Sequence, residues 1–176
     1  MGHIHTGEGE YDYTASAYII NDGRVLLLMH HKLHLWLPPA GHVEIDETPF
    51  EAVFREVEEE SGLSRHSLTL LATSDMYHSL ERDDVQIGIP LPFDLEAHPI
   101  NDTHNHIDFA YAFKSDTDII RPEEGGASDL RWFTLDEIKE LSPMPKSIYS
   151  RSAYALQLSK APSSKTTISA SSKIGQ

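Results

Sequence analysis

Residues 41–63 read GHVEIDETPFEAVFREVEEESGL, and this stretch decides the fold. A helix start lies inside it, because Thr48 suits the N-cap, Pro49 suits the first helical position and Glu51 completes a capping box. Apolar residues then recur at helical spacing and predict one buried stripe: Phe50, Val53, Phe54 and Val57. The stretch therefore predicts a helix over residues 49–61 with one anchored face.

Three glutamates share another part of this helix. Glu56, Glu59 and Glu60 stand at i, i+3 and i+4, so their side chains are neighbours on the helix surface. Like charges at that spacing destabilise a helix unless a hard cation sits between them, and clustered carboxylate oxygens suit Mg²⁺ or Mn²⁺. The glutamates alone are equally compatible with a solvated acidic face.

The spacing of the whole stretch is more specific than its glutamates. Written with U for an apolar residue, it is G-x5-E-x7-R-E-U-x-E-E-x-G-U, from Gly41 to Leu63. Average residue usage gives a chance match in a chain of this length a frequency on the order of 10⁻⁷. This pattern is the Nudix box, and the chain resembles the Nudix hydrolase family at every position of it.

The resemblance extends over residues 13–158 and implies an α/β fold, the α/β/α sandwich around a mixed β-sheet. It divides the chain into an N-terminal arm (1–12), a Nudix hydrolase domain (13–158) and a flexible C-terminal tail (159–176). A Trp-x-x-Pro-x-Gly lead into the box, residues 36–41, and a later His-x-His-x-Asp signature resemble a less characterised subgroup of the family.

The activity implied by the resemblance is metal-dependent pyrophosphohydrolysis. The reaction would cleave the diphosphate bond of a nucleoside diphosphate linked to a further group, with a (modified) nucleoside triphosphate as the best candidate. Alternatives stay open: a pyrophosphatase of nucleotide sugars, ADP-ribose or dinucleoside polyphosphates, or a non-catalytic nucleotide-sensing module.

The resemblance also assigns roles within the box. Mg²⁺ or Mn²⁺ would be held at four positions: Gly41 through its backbone, Glu56, Glu59 and Glu60. Glu56 or Glu59, or a carboxylate outside the metal ligands, would act catalytically by taking the proton from the attacking water. Glu47 and Arg55 would pair with one another and have a structural role.

Substrate contacts are less well specified by the sequence. Many relatives carry a phosphate-binding arginine after the strand that leads to the box, whereas this chain has His30, His31 and Lys32 there. These three residues, together with His42 beside the box glycine, are candidate substrate-binding residues.

Two segments downstream, 94–100 and 103–113, alternate as extended strands and would pair as a hairpin. Their polar side chains would then share one side of the sheet: Asp94, Glu96, His98, His104, His106 and Asp108. One interpretation is a metal or substrate-phosphate site formed by the histidines and Asp108, and imidazole-rich sites favour zinc-like metals. The other is a hydrogen-bonded network or a solvated hairpin face.

Composition limits the remaining function classes. The 176 residues include 28 Asp and Glu against 14 Lys and Arg, a formal net charge of −14, so broad contact with nucleic acid is not expected. A small-molecule nucleotide is the expected partner, and a homodimer is compatible with the sequence. No apolar run approaches membrane-spanning length. The absence of cysteine fits a reducing compartment, so a cytoplasmic location is expected.

Overall fold

The computed structural model describes residues 9–71, 88–102, 104–122 and 129–161. Within these ranges the chain forms eight strands: β1 (Tyr11–Asn21), β2 (Arg24–Met29), β3 (Trp36–Leu37), β4 (Ala40–His42), β5 (Leu68–Leu70), β6 (Asp94–Pro99), β7 (Asn105–Ser115) and β8 (Leu130–Phe133). It also forms three α-helices: α1 (Pro49–Ser61), α2 (Leu135–Glu140) and α3 (Lys146–Lys160). Most of the expected arm and tail, residues 1–8 and 162–176, lies outside the described residues.

The sheet is mixed and centres on two long strands. β1 and β7 run parallel, in register from Tyr11 opposite Asn105 to Ile20 opposite Lys114. β2 and β4 pair antiparallel with the other edge of β1, while β5 and β6 pair antiparallel with β7. β3 and β8 extend the sheet from β2. The predicted hairpin is confirmed, with His98 directly opposite His106.

Helices cover both faces of this sheet. On one face α1 packs on buried side chains of β1 and β7: Ala15, Ala17, Ile19, Tyr111 and Phe113. On the other face α2 and α3 contribute Ile138, Ile148 and Leu156 to a second core around Tyr18. The predicted α/β/α sandwich around a mixed sheet is therefore confirmed. No helix within the described ranges is long and apolar enough to cross a membrane.

The first helix has the predicted bounds, Pro49–Ser61, and the predicted capping box. The Thr48 hydroxyl accepts a hydrogen bond from the backbone N–H of Glu51, and the Glu51 carboxylate accepts one from the backbone N–H of Thr48. Gly62 ends the helix at φ 71°, and an added Cβ there would overlap the Arg121 carbonyl oxygen. Local sequence signals thus fix both ends of α1.

Strand β1 starts earlier than the sequence predicted. Tyr11 and Asp12, which the sequence places in the N-terminal arm, already pair in register with β7. Asp12 is only 2% exposed. This pairing joins residues more than ninety positions apart, so no local pattern signals it.

Candidate metal and substrate site

The glutamates of α1 face the short strand β4. Glu56 is 8% exposed, and its carboxylate lies where the side chain of residue 41 would be, so that a Cβ on Gly41 would overlap it. The Glu60 carboxylate accepts a hydrogen bond of 3.0 Å from the backbone N–H of Ala40. Glu59 is half exposed at the open side of the group. The box therefore brings two carboxylates, Glu56 and Glu60, against the backbone of β4, with Glu59 exposed beside them.

Arg55 ties this group together. Its Nη2 lies 2.6 Å from Glu47 Oε1 and its Nη1 lies 2.6 Å from Glu56 Oε1. Nη1 is also 3.6 Å from Glu59 Oε2, and Nη2 donates to the carbonyl oxygen of His42 at 2.9 Å. Burial alone would raise the pKa of Glu47, but its hydrogen bonds with Arg55 bring that pKa below the ordinary value. The Glu47–Arg55 pair is thus present and links the helix to the loop before it.

Two of the carboxylates lie in surroundings that disfavour their ionised form. Burial raises the pKa of Glu56, although Arg55 counteracts it. Burial also raises the pKa of Glu60 to about 8, against the hydrogen bond from Ala40 and with the added repulsion of Glu56 and Glu59. A divalent cation between the carboxylates would offset this repulsion, and their oxygen donors fit Mg²⁺ or Mn²⁺.

A cavity of about 530 Å³ lies on the α3 side of the sheet, and Ala40, Gly41 and His42 of β4 contribute to its lining. Its apolar wall comes mainly from the loop before the box and from α3: Leu33, Leu35, Leu37, Pro38 and Ile148. Its polar floor comes from the sheet and α3: Thr14, Ser16, Glu96, His98, Asp108 and Arg151. The cavity therefore combines an apolar wall with a polar floor, as ligand pockets commonly do.

Arg151 dominates the floor and is 6% exposed. Its Nε lies 2.7 Å from Asp94 Oδ2, and its Nη1 lies 3.0 Å from Asp108 Oδ2 and 3.2 Å from Glu96 Oε1. Asp108 also accepts hydrogen bonds from the hydroxyls of Thr14 and Ser16. Three carboxylates thus surround one guanidinium, so the floor is net negative.

A cluster of three histidines and one aspartate lies at the end of this polar face. Asp12, His42, His104 and His106 each place one side-chain donor atom within 4.8 Å of the others. Burial, followed by the neighbouring histidines, lowers the pKa of His106 to about 4. The described residues hold no other such group of histidine, aspartate and glutamate side chains.

The predicted substrate-binding residues differ in whether they line the cavity. His30, His42, His98, His106 and Asp108 line the cavity. His104 lies in the histidine cluster, outside the cavity lining. His31 and Lys32 are exposed and do not line the cavity.

The His30 side chain shapes the loop before the box. Its Nδ1 accepts hydrogen bonds from the backbone N–H groups of Lys32 and Leu33. His31 stacks on His30 with ring centroids 5.3 Å apart. Burial, then the adjacent His31 and Lys32, lowers the pKa of His30. The side chain of His30 therefore helps to hold the turn that closes one side of the cavity.

Sequence reasoning missed two buried charged residues of this face, Asp12 and Arg151. A signal for Arg151 was present, because it continues the apolar stripe of α3 between Ile148 and Ala155, where only a paired charge is expected to be buried. Asp12 gave no such signal, since its burial depends on the long-range pairing of β1 with β7.

Comparison with known proteins agrees with this geometry. A mixed sheet between helices, with a carboxylate-bearing helix packed on a short strand, defines the class of the fold and its site. The family model of the NUDIX domain matches residues 10–156. The chain therefore belongs to the NUDIX family.

Solved and curated relatives give the same family. A NUDIX-family hydrolase from Clostridium perfringens is similar with a TM-score of 0.70 and 27% identity over 86% of this chain and 99% of that one. A probable DHNTP pyrophosphohydrolase of Lactococcus lactis is 28% identical over 123 residues, 70% of this chain and 63% of that protein. An RNA pyrophosphohydrolase of Tolumonas auensis is 45% identical over 53 residues, 30% of each chain. The match thus spans less than two thirds of either curated relative.

Proposed function

We propose that this protein is a metal-dependent pyrophosphohydrolase, which cleaves the diphosphate bond of a nucleoside diphosphate linked to another group. The observation that carries the proposal is the placement of the Glu56 and Glu60 carboxylates against β4 at Gly41 and Ala40, with Glu59 as a neighbouring charge. Bound there, Mg²⁺ or Mn²⁺ would neutralise phosphate charge and lower the pKa of a water molecule.

Other roles in the reaction, proton acceptance and the positioning of carboxylates, are assigned to residues of the box. Glu56 and Glu59, which both lie near Arg55 Nη1, are the candidates for accepting the proton of the attacking water. Glu60 is oriented by Ala40, and Arg55 holds Glu56 through a direct hydrogen bond. Their arrangement keeps the acceptor carboxylates in place without help from the substrate.

Electrostatics supports one orientation of the substrate. The cavity floor carries Glu96 and Asp108 against the single charge of Arg151, so a phosphate chain would be repelled from it. The apolar wall and the hydrogen-bonding floor instead suit a flat, uncharged organic group. We infer that the phosphates lie at the glutamates and that the base or a similar ring enters the cavity.

A (modified) nucleoside triphosphate is the substrate class that we favour. The two curated relatives compared above are named RNA pyrophosphohydrolase and probable DHNTP pyrophosphohydrolase, and both names describe hydrolysis of a diphosphate bond. The cavity volume of about 530 Å³ leaves room for a ring larger than that of an ordinary base. Nucleoside triphosphates and their modified forms therefore form the first group to test.

A substrate panel tests the proposal directly. The protein is incubated with nucleoside triphosphates, modified nucleoside triphosphates, nucleotide sugars, ADP-ribose and dinucleoside polyphosphates, with Mg²⁺, with Mn²⁺ or with EDTA. Chromatography then identifies the products. We expect metal-dependent release of pyrophosphate from the triphosphates. Calorimetric binding of these nucleotides without turnover would contradict the proposal and favour a nucleotide-sensing module.

One substitution tests the assignment of the box. Glu59→Gln removes a carboxylate charge but keeps the shape, and we expect turnover to fall by about 100-fold or more, the scale of losing a general base. Glu58→Gln is the matched control, since Glu58 is exposed one position away and is not part of the group. Equal activity of the two variants would remove Glu59 from the site.

A further inference from the structure

We propose that Asp12, His42, His104 and His106 form a second cation site, which binds one zinc-type divalent ion and is separate from the glutamates of α1. The four residues come from different parts of the sheet: Asp12 from β1, His42 from β4, His106 from β7 and His104 just before it. The proposal is independent of the hydrolytic function.

The distances between the donor atoms match the geometry of such a site. Asp12 Oδ2 lies 3.4 Å from His104 Nε2 and 3.7 Å from His42 Nε2. The Nε2 atoms of His104 and His106 lie 2.8 Å apart. Ligands about 2.0–2.1 Å from a tetrahedral zinc ion are about 3.4 Å from one another. The remaining pairs lie within 4.8 Å of one another, so side-chain adjustment is enough to bring the four atoms around one centre.

The chemistry of the donors distinguishes this site from the one on α1. Three imidazoles and one carboxylate suit Zn²⁺ and similar transition metals, whereas the all-carboxylate group suits Mg²⁺ or Mn²⁺. The carboxylate of Asp12 is almost fully buried, and buried charges are usually paired or bound to metal. Two Nε2 atoms that face one another at hydrogen-bond distance also fit two ligands of a shared ion.

The two sites lie on opposite faces of β4. Gly41 faces α1, where its hydrogen meets Glu56, and the side chain of the next residue, His42, points to the other face beside Thr14. Four protein ligands leave no open position, which is typical of a structural zinc site. The carbonyl of His42 accepts a hydrogen bond from Arg55. An ion at His42 would therefore steady the strand that carries the box glycine.

Metal analysis of the untagged protein tests the site without any substrate. Because His3 and His5 could also bind metal, they are replaced by alanine in every sample. The protein is stripped with EDTA, loaded with Zn²⁺ or Co²⁺, desalted and measured by elemental analysis, absorption spectroscopy and thermal unfolding. We expect about one ion per chain, the visible absorption of tetrahedral Co²⁺ and a higher Tm with the ion.

Variants then locate the ion. His42→Ala and His104→Gln should each lose the bound Zn²⁺ and the Co²⁺ absorption. His66→Ala, which removes an exposed histidine elsewhere, should keep both. The double variant Glu59→Gln/Glu60→Gln should also keep both, because it alters only the group on α1.

Two results would overturn the proposal. One is the absence of retained zinc and of a tetrahedral Co²⁺ spectrum in the protein with all four residues intact, which does not depend on how any variant folds. The other is retention of zinc by His42→Ala with its loss from Glu59→Gln/Glu60→Gln, which would place the ion at the box. Neither measurement involves turnover, so a failure of the proposed hydrolysis would leave them unaffected.

Discussion

At the scale of single residues, the two glycines of the box are required for different structural reasons. Gly41 has an ordinary backbone conformation but no space for a side chain, because the Glu56 carboxylate fills that position. Gly62 has a φ of 71°, which other residues adopt at a cost, and it also packs against the Arg121 carbonyl. The first glycine therefore serves the site and the second serves the end of the helix.

Substitution of each glycine by alanine should affect a different property, turnover for Gly41 and stability for Gly62. Gly41→Ala must displace the Glu56 carboxylate, and a displacement of about 1 Å at a reacting group can cost about 100-fold in turnover. Gly62→Ala should instead lower the free energy of unfolding by at least 1–2 kcal/mol, roughly the cost of the left-handed conformation. Steady-state kinetics and urea unfolding of both variants check this. Full activity of Gly41→Ala would show that Glu56 need not stay where it is.

At the scale of elements, the capping box of α1 is a stability device located well away from the chemistry. Glu56 lies two turns beyond Thr48, so fraying of the first turn should leave the glutamates in place. Thr48→Ala is expected to cost about 1 kcal/mol of stability with unchanged turnover, while Thr48→Ser should retain both. Thr134→Ala removes the equivalent cap of α2 and should cost a similar amount. A large loss of turnover in Thr48→Ala without loss of stability would contradict this separation.

The elements also show which parts of the structure a sequence can predict. The bounds of α1 follow from the cap, the proline, the apolar stripe and Gly62, all within sixteen residues of one another. The β6–β7 hairpin follows from alternation on two nearby segments. The start of β1 at Tyr11 does not, because it depends on pairing with Asn105.

The same distinction applies to the site. The box glutamates could be named from spacing alone, and so could the histidines of the hairpin. Their partners could not: Asp12 joins His104 and His106 through the β1–β7 register, and Arg151 reaches Asp108 from a helix that packs across the sheet. Local patterns thus identify candidate site residues, whereas long-range packing decides which of them meet.

At the scale of the whole molecule, the sheet separates two kinds of polar cluster. The α1 face carries the box carboxylates with Arg55, and the α3 face carries Arg151 with the acids of the hairpin. Both clusters border β4 or its neighbour β1, so the cavity between the sheet and α3 lies directly behind the box glycine. Residues 40–42 of β4 thus border both regions.

Arg151 connects α3 to the sheet, and its three acidic partners differ in exposure. Asp108 is buried, with a side chain 8% exposed, whereas those of Glu96 and Asp94 are 34% and 46% exposed. Removing one member of a buried ion pair leaves the other charge without compensation and costs roughly 3–5 kcal/mol. Exposed pairs contribute about 0–1 kcal/mol. The Arg151–Asp108 pair should therefore dominate the coupling between α3 and the sheet.

A double-mutant cycle measures that coupling. Arg151→Met should lower the free energy of urea unfolding by roughly 3–5 kcal/mol, because it leaves Asp108 buried without its cation. Asp108→Asn should cost less, because Asp94 and Glu96 still contact the guanidinium. The double variant should lose clearly less than the sum of the two losses. Asp94→Asn, the matched control on the same guanidinium, should cost less than about 1 kcal/mol. Additive losses in the cycle, or an Arg151→Met variant as stable as the parent, would mean that apolar packing of Ile148 and Leu156 holds α3 on the sheet without the ion pair.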